Sequence, residues 1–176
     1  MAASDDDVGL RLGRLEALEA IRRLLARYAR ALDRGDWNGM RGCFTADATD
    51  DHGPYQGSVD TLVSGTRELM AGYWGTMHVL GQSLIEVDGD AATAETYALS
   101  FHRRHCAEGA AGDEDTVTGI RYLDRLVRSE DGWLIAARVT VHEWNTTIAA
   151  RDWLAAAQWV NGAADCSDPS YALGLP

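Results

Sequence analysis

The chain has 176 residues, 46% of them hydrophobic, and its formal net charge is −11. This length suits one compact domain, and the acidic balance disfavours nucleic acids and anionic membranes, which bind basic protein surfaces. Three cysteines at no metal-ligand spacing and an acidic, polar N-terminus indicate a cytoplasmic protein without a disulfide framework. No apolar run approaches the roughly 20 residues that span a bilayer.

The first part of the chain is predicted to be helical. A helix is expected over 14–33, with Gly35 ending it and Asp36 capping a short second helix that reaches Cys43. The apolar residues that recur there at intervals of three and four are Leu18, Ile21, Leu25, Tyr28 and Leu32.

A strand or turn region over 44–52 is expected to follow, crowded with acidic residues. Ser58 is then a plausible cap for a third helix that runs to about Tyr73. The residues of this helix that are expected to face inward are Leu62, Leu69 and Met70.

Asp33 occupies an unusual position, the last turn of the first predicted helix. A carboxylate there meets the negative end of the helix dipole, which is unfavourable. A local rule broken without visible compensation often marks a functional residue. The alternative is a solvated aspartate at a fraying helix end.

The stretch 75–105 predicts a long hairpin with an Asp-Gly turn within 87–90. A three-residue loop places His78 opposite Ser100 and makes His102 a diagonal neighbour on the same face. A two-residue loop shifts the register by one and turns His102 to the other face. The two histidines therefore share a cavity in only one register, and either of them can equally be an ordinary strand residue.

The second half is predicted to complete an antiparallel meander. An acidic loop follows Cys106, then strands over 116–128 and 133–144, a short helix over 150–160 and an apolar tail that docks on this subunit or a neighbour. Helices ahead of such strands indicate an α+β fold, a cone-shaped barrel in which a strongly bent antiparallel sheet wraps the N-terminal helices. Residues 1–176 form one domain, with a core over about 12–145 and a C-terminal helix and tail over 146–176.

Three segments resemble the SnoaL-like branch of the nuclear transport factor two-like superfamily. They are LEALEAIRRLLARYARALDRGDWNGMRGCF, MHVLGQSLIEVDGDAATAETY and GIRYLDRLVRSEDGWLIAARVTVHEW, and the likeness covers roughly residues 12–144. That fold hosts dehydratases, isomerases, cyclases, hydrolases and non-catalytic subunits. The pattern most similar to this chain is that of scytalone dehydratase and the bile-acid 7α-dehydratases, matched by Tyr28, Asp33, His78 and His102.

The resemblance implies an acid–base lyase that removes water from a hydroxylated carbonyl compound. We expect Asp33 to orient His78, His78 to take the proton next to the carbonyl, Tyr28 to donate to the enolate oxygen and His102 to protonate the leaving hydroxyl. No metal or cofactor is required, and the spacing of His102 and His105 in a strand disfavours chelation.

The implied partner is a small apolar hydroxylated substrate, polycyclic or steroid- or polyketide-like. Tyr55, with His52 next, is the nearest match for a tyrosine that holds the substrate carbonyl. Further residues predicted to line the pocket are Trp74, Phe101, Tyr122 and Trp144. A homo-oligomer, trimer or dimer, is expected. An isomerase or cyclase using the same Asp–His pair, and a non-catalytic small subunit or ligand-binding module, remain alternatives.

Overall fold

The computed structural model describes residues 5–105, 112–150 and 159–174. The helices are α1 (Asp5–Asp33), α2 (Trp37–Arg41) and α3 (Val59–Met70), and a 3₁₀ helix spans Pro169–Leu173. The strands are β1 (Phe44–His52), β2 (Tyr55–Ser58), β3 (Gly75–Asp88), β4 (Ala91–His105), β5 (Asp113–Ser129) and β6 (Gly132–Ala150).

Side-chain caps fix the starts of the two shorter helices, as the sequence predicts. Asp36 accepts a hydrogen bond from the Gly39 backbone N–H at 2.8 Å, and Ser58 accepts one from Thr61 at 3.3 Å. The predicted helix over 14–33 begins earlier, at Asp5, and ends at Asp33. Its early turns, where even Val8, Leu10 and Leu12 are more than half exposed, were missed because the N-terminus is acidic and polar.

The six strands form one bent, unclosed sheet in the order β2-β1-β6-β5-β4-β3. The predicted α+β fold is confirmed, with the N-terminal helices on one face of the sheet. Neighbouring strands are antiparallel except for β1 and β6, which pair in parallel. The short strand β2 was not predicted, because four residues after Gly53-Pro54 carry no readable alternation.

The central hairpin combines the two predicted alternatives. Its loop has only two residues, since Asp88 pairs with Ala91. A β-bulge then sets two residues, Gly81 and Gln82, against the single Tyr97 and shifts the register by one. Beyond the bulge His78 pairs with Ser100, so that His102 lies diagonally from it on the same face.

The ends of the later elements differ from prediction. Residues 113–115, expected in the acidic loop, belong to β5, because they pair with β4 and with the unforeseen extension of β6. Ala150, expected to begin a helix, is the last residue of β6. Residues 107–111 of the predicted acidic loop and 151–158 of the predicted helix lie outside the described residues, and residues 159 and 160, the expected end of that helix, are not helical.

The described part of the tail packs on α1 of the same chain. Arg34 forms an ion pair with the buried Asp168 at 3.1 Å, and the Arg30 guanidinium lies 4.8 Å from the centre of the Tyr171 ring. Leu173, which the sequence predicted to dock, is 72% exposed. Tyr171 therefore holds the tail through a cation–π contact, whereas Leu173 remains in solvent.

The main core lies between α1 and the inner face of the sheet. Its most completely buried members include Ile21, Tyr28, Leu62 and Ile135. Leu69, predicted to face inward, is 49% exposed and lines a cavity rather than packing in the core.

The outer face of the sheet is partly apolar. Val79, Tyr97, Leu99 and Trp144 are each more than a third exposed. Such a face is compatible with the predicted homo-oligomer, which stays a prediction. In the described ranges, no helix combines the length and apolar character needed to cross a bilayer.

Candidate active site

A cavity of about 400 Å³ opens between the helices and the inner face of the sheet. Four strands each contribute a histidine to its wall, namely His52, His78, His102 and His142. Hydroxyl groups come from Tyr28, Tyr55, Tyr73, Tyr122, Thr66, Ser100, Thr116, Thr118 and Thr140. The apolar lining includes Leu32, Leu69, Met70 and Ile120. The cavity thus combines an apolar body with several titratable and hydroxyl groups, as ligand sites commonly do.

Asp33 and His78 form a close buried pair at one wall of this cavity. Asp33 Oδ1 lies 2.7 Å from His78 Nδ1, and Oδ2 accepts a hydrogen bond from the His78 backbone N–H at 2.9 Å. The side chains are only 9% and 5% exposed. These bonds compensate the unfavourable place of Asp33 at the end of α1. With Nδ1 bonded to the carboxylate, Nε2 is the ring nitrogen left to act as an acceptor.

His102 belongs to the same cluster but has a different environment. Thr76 Oγ1 lies 3.1 Å from His102 Nδ1 and donates to Asp33 Oδ1 at 3.4 Å. The rings of His78 and His102 meet edge to face with centres 5.3 Å apart. Burial and the neighbouring His78 lower the pKa of His102 to about 4, against an opposing effect of Asp33. His102 is therefore neutral at neutral pH.

Tyr28 is held against a buried cation. The Arg138 guanidinium lies 4.1 Å from the ring centres of both Tyr28 and Tyr122, and it binds Asp124 with two hydrogen bonds of 2.7 and 2.8 Å. Burial raises the pKa of Tyr28 to about 12 and also raises the pKa of Tyr122. Burial opposes the charge on Arg138, yet Asp124 holds the pKa of its guanidinium above the ordinary value. Tyr28 is therefore a protonated hydroxyl donor beside a permanent positive charge.

A second imidazole stands near a second buried carboxylate, on β1. His52 Nδ1 lies 2.9 Å from Thr140 Oγ1 and 3.6 Å from Asp50 Oδ1. Asp50 is 4% exposed, and neither of its carboxylate oxygens has a hydrogen-bond partner among the described residues. The sequence does not single out Asp50 from the other acidic residues crowded into this segment. The alternation of Ala48, Asp50 and His52 on one face of β1 was the available signal.

The cavity contains six of the ten predicted site residues in its wall, and Asp33 lies directly behind His78. The six are Tyr28, His52, Tyr55, His78, His102 and Tyr122. Cavity residues that the sequence did not single out include Tyr73, Ser100, Thr116, Thr118, Thr140 and His142. The threonines on β5 were missed because hydroxyl side chains at alternate strand positions are common and identify no site by themselves.

The prediction is wrong for Trp74, Phe101 and Trp144, which do not line this cavity. Phe101 has the opposite strand parity to His102, so it faces away from the cavity. Trp74 is 49% exposed and stacks on His105, and Trp144 covers Gly119 on the outer face of the sheet. Their aromatic character was a poor guide because a sheet with one exposed face also carries large side chains outside.

Comparison with known proteins identifies the fold and the family. The chain is 31% identical over 124 residues to the uncharacterized protein Rv2910c of Mycobacterium tuberculosis, an alignment covering 68% of this chain and 80% of that one. A hexachlorocyclohexane dehydrochlorinase (LinA) type 2 superposes with a TM-score of 0.68 at 17% identity, covering 82% of this chain and 97% of that one. A candidate scytalone dehydratase from Novosphingobium aromaticivorans superposes with a TM-score of 0.67 at 20% identity, covering 78% and 91%.

These structural matches establish the shared fold. A SnoaL-like domain model matches residues 13–139, which is most of the chain. The chain belongs to the SnoaL-like domain family, with the fold of the nuclear transport factor two-like proteins.

Proposed function

We propose that this protein is a cofactor-independent lyase that eliminates water from a small, apolar, hydroxylated carbonyl compound. The observation that carries the proposal is the buried Asp33–His78 pair in the cavity wall, with Oδ1 and Nδ1 2.7 Å apart. A histidine held by a carboxylate through one ring nitrogen is suited to proton abstraction through the other.

His78 is the base. Its Nε2 takes the proton next to the substrate carbonyl, and Asp33 stabilises the resulting imidazolium through Nδ1–H. The second oxygen of Asp33 accepts a hydrogen bond from the His78 backbone N–H. One carboxylate therefore fixes both the backbone and the ring of His78. This geometry supports a base that is fixed in position before substrate binds.

Tyr28 stabilises the enolate that forms when the proton leaves. Its raised pKa keeps the hydroxyl protonated, as a hydrogen-bond donor must be. Arg138 adds a fixed positive charge against the ring, 4.1 Å from its centre. Donors placed in advance beside a developing negative charge are among the largest contributions to catalysis in a site that excludes water.

The role of His102 in the proposal differs from the sequence prediction. An imidazole with a pKa of about 4 carries almost no proton charge at neutral pH, so it is a poor acid for the departing hydroxyl. We assign His102 to a neutral hydrogen bond with substrate and to support of Thr76, which in turn donates to Asp33.

The size of the cavity and the solved relatives support this substrate class. About 400 Å³ lies toward the lower end of the roughly 300–1,000 Å³ typical of ligand pockets, which favours a compact molecule. Two proteins of the same fold are named for eliminations, one a candidate dehydratase and one a dehydrochlorinase. Both reactions remove a proton and a leaving group from neighbouring carbons, the chemistry proposed here.

The proposal is tested by incubating the protein with a panel of cyclic β-hydroxy ketones and following loss of water by mass spectrometry. We expect His78→Gln to abolish the reaction. The matched control is His105→Gln, since His105 also pairs with a carboxylate, Asp113 at 2.8 Å, but its side chain is 79% exposed. A product of unchanged mass would indicate an isomerase or cyclase, and binding without conversion would indicate a ligand-binding module.

A further inference from the structure

An elimination needs an acid for the leaving group as well as a base, and the cavity holds a second carboxylate–imidazole unit. His52 on β1 and His78 on β3 come from strands near opposite edges of the sheet, yet both line the same cavity. We infer that His52, supported by the buried Asp50, is the general acid that protonates the departing hydroxyl. This inference rests on the proposed function.

Asp50 is buried without hydrogen bonds from the described residues. Its side chain is 1% exposed, and its oxygens find no hydrogen-bond donor within the described part of the chain. A buried carboxylate without hydrogen bonds is costly unless positive charge stands nearby. Arg138, its neighbour on β6, supplies one positive charge but directs two of its donors to Asp124. His52, 3.6 Å from Asp50, supplies the second positive charge when its ring is protonated.

The position of His52 also suits proton exchange. Its side chain is 31% exposed, whereas that of His78 is 5% exposed. Thr140 Oγ1, 2.9 Å from Nδ1, fixes the ring so that Nε2 is the nitrogen available to substrate. An acid must regain its proton after every turnover, and a half-exposed imidazole at the cavity wall can do so from solvent.

In the proposed step, His78 Nε2 forms a bond to the substrate proton, and the electrons of the broken C–H bond pass into the enolate that Tyr28 stabilises. As the carbonyl re-forms, those electrons make the new C=C bond and the C–O bond breaks with its electrons on oxygen. That oxygen takes the proton from His52 and departs as water. His52 is left neutral and His78 is left protonated, and exchange with solvent restores both.

Several titratable and charged groups surround His52. They are Asp50 and Asp51 on β1, Tyr55 on β2, Arg138 and His142 on β6, Tyr28 on α1 and Tyr122 on β5. The residues of α3 that line the cavity are Thr66, Leu69 and Met70, none of which titrates. Asp51 is already bonded to the Gly53 N–H and to Gln56, so Asp50 is the carboxylate left to support the imidazolium.

The test compares two leaving groups on one carbon skeleton, a β-hydroxy ketone and its acetate ester. Hydroxide must be protonated to leave, whereas acetate leaves without a proton. We expect His52→Gln to lower kcat/KM for the hydroxy ketone by about 10² to 10⁴-fold and to leave the acetate within about tenfold of wild type. His78→Gln is expected to impair both substrates, because both need the base.

Two further variants, Asp50→Asn and His142→Gln, separate the role of His52 from the roles of its neighbours. Asp50→Asn, a change in a positioning residue, should move the basic limb of the pH profile for the hydroxy ketone to lower pH, since the imidazolium loses its carboxylate neighbour. His142→Gln tests another cavity histidine as a rival acid, and His105→Gln, whose histidine does not line the cavity, is the matched control. The inference is overturned if His52→Gln and a second variant, His52→Asn, both fold and retain the hydroxy-ketone rate, or if His142→Gln alone has the leaving-group dependence. If wild type eliminates neither substrate, or His78→Gln retains activity, the proposed lyase function fails instead.

Discussion

Replacing Asp33 by asparagine perturbs the candidate site with little change in shape. The carboxylate now bonds to His78 Nδ1 at 2.7 Å, to the His78 backbone at 2.9 Å and to Thr76 at 3.4 Å. An amide oxygen can keep the backbone bond, but the amide NH₂ then faces Nδ1. Because NH₂ can only donate, the ring proton moves to Nε2 and the proposed basic nitrogen is blocked.

The expected loss in kcat is large. The same replacement in serine-protease triads, where it also imposes the wrong tautomer, costs about 10⁴-fold, which corresponds to about 5 kcal/mol of transition-state stabilisation. Dehydration kinetics measure this loss, and ¹⁵N chemical shifts of the His78 ring report the tautomer without any substrate. An Asp33→Asn protein that folds, keeps the proton on Nδ1 and turns over like wild type would refute the reasoning.

Three further predictions concern the same cavity. Tyr28→Phe removes one enolate donor while keeping the ring against Arg138, and should lower kcat by about 10² to 10³-fold in steady-state assays. Gly65→Ala would put a methyl group 2.4 Å from the Tyr55 ring, so the ring must move and KM should rise, while melting temperature changes little because alanine favours the helix. His102 binds its proton near pH 6.5 when unfolded and near 4 when folded, so stability should fall by about 3 kcal/mol as pH drops across that window, in denaturant titrations.

Each of these predictions has a contrary outcome. A Tyr28→Phe enzyme with wild-type kcat would remove the hydroxyl from the mechanism. Unchanged KM in Gly65→Ala would mean that Tyr55 does not contact substrate. Replacing His102 by asparagine should remove the contribution of the imidazole to the pH dependence of the unfolding free energy between pH 6.5 and 4. The same pH dependence in both proteins would contradict a pKa of about 4 for His102.

The sequence predicts the helical and strand segments well where short-range patterns decide them. The apolar stripe of α1 and the caps Asp36 and Ser58 are local features, and the helices start or end accordingly. The register of the hairpin formed by β3 and β4 cannot be predicted from such local patterns. It depends on a bulge at Gly81 and Gln82, which is set by pairing across strands rather than by the turn.

The residues of the candidate site likewise divide into those that a local pattern reveals and those that only long-range contacts reveal. Asp33 was noticeable because a carboxylate at a helix end is locally unfavourable, and the Asp33–His78 contact resolves that conflict. Asp50 breaks no local rule, since an aspartate in an acid-rich strand is expected to be exposed to solvent. Its burial follows from the parallel pairing of β1 with β6, a contact between segments almost ninety residues apart in the chain. Patterns within one segment carry no information on that contact.

The most direct test of the central claim is the washout of deuterium from the carbon next to the carbonyl of a bound ketone, followed by NMR. This exchange needs a base but no leaving group, so it isolates the step assigned to His78 and Asp33. We predict that wild type and His105→Gln exchange at equal rates and that His78→Gln is slower by about 10² to 10⁴-fold. Equal washout by wild type and a folded His78→Gln protein would contradict the account.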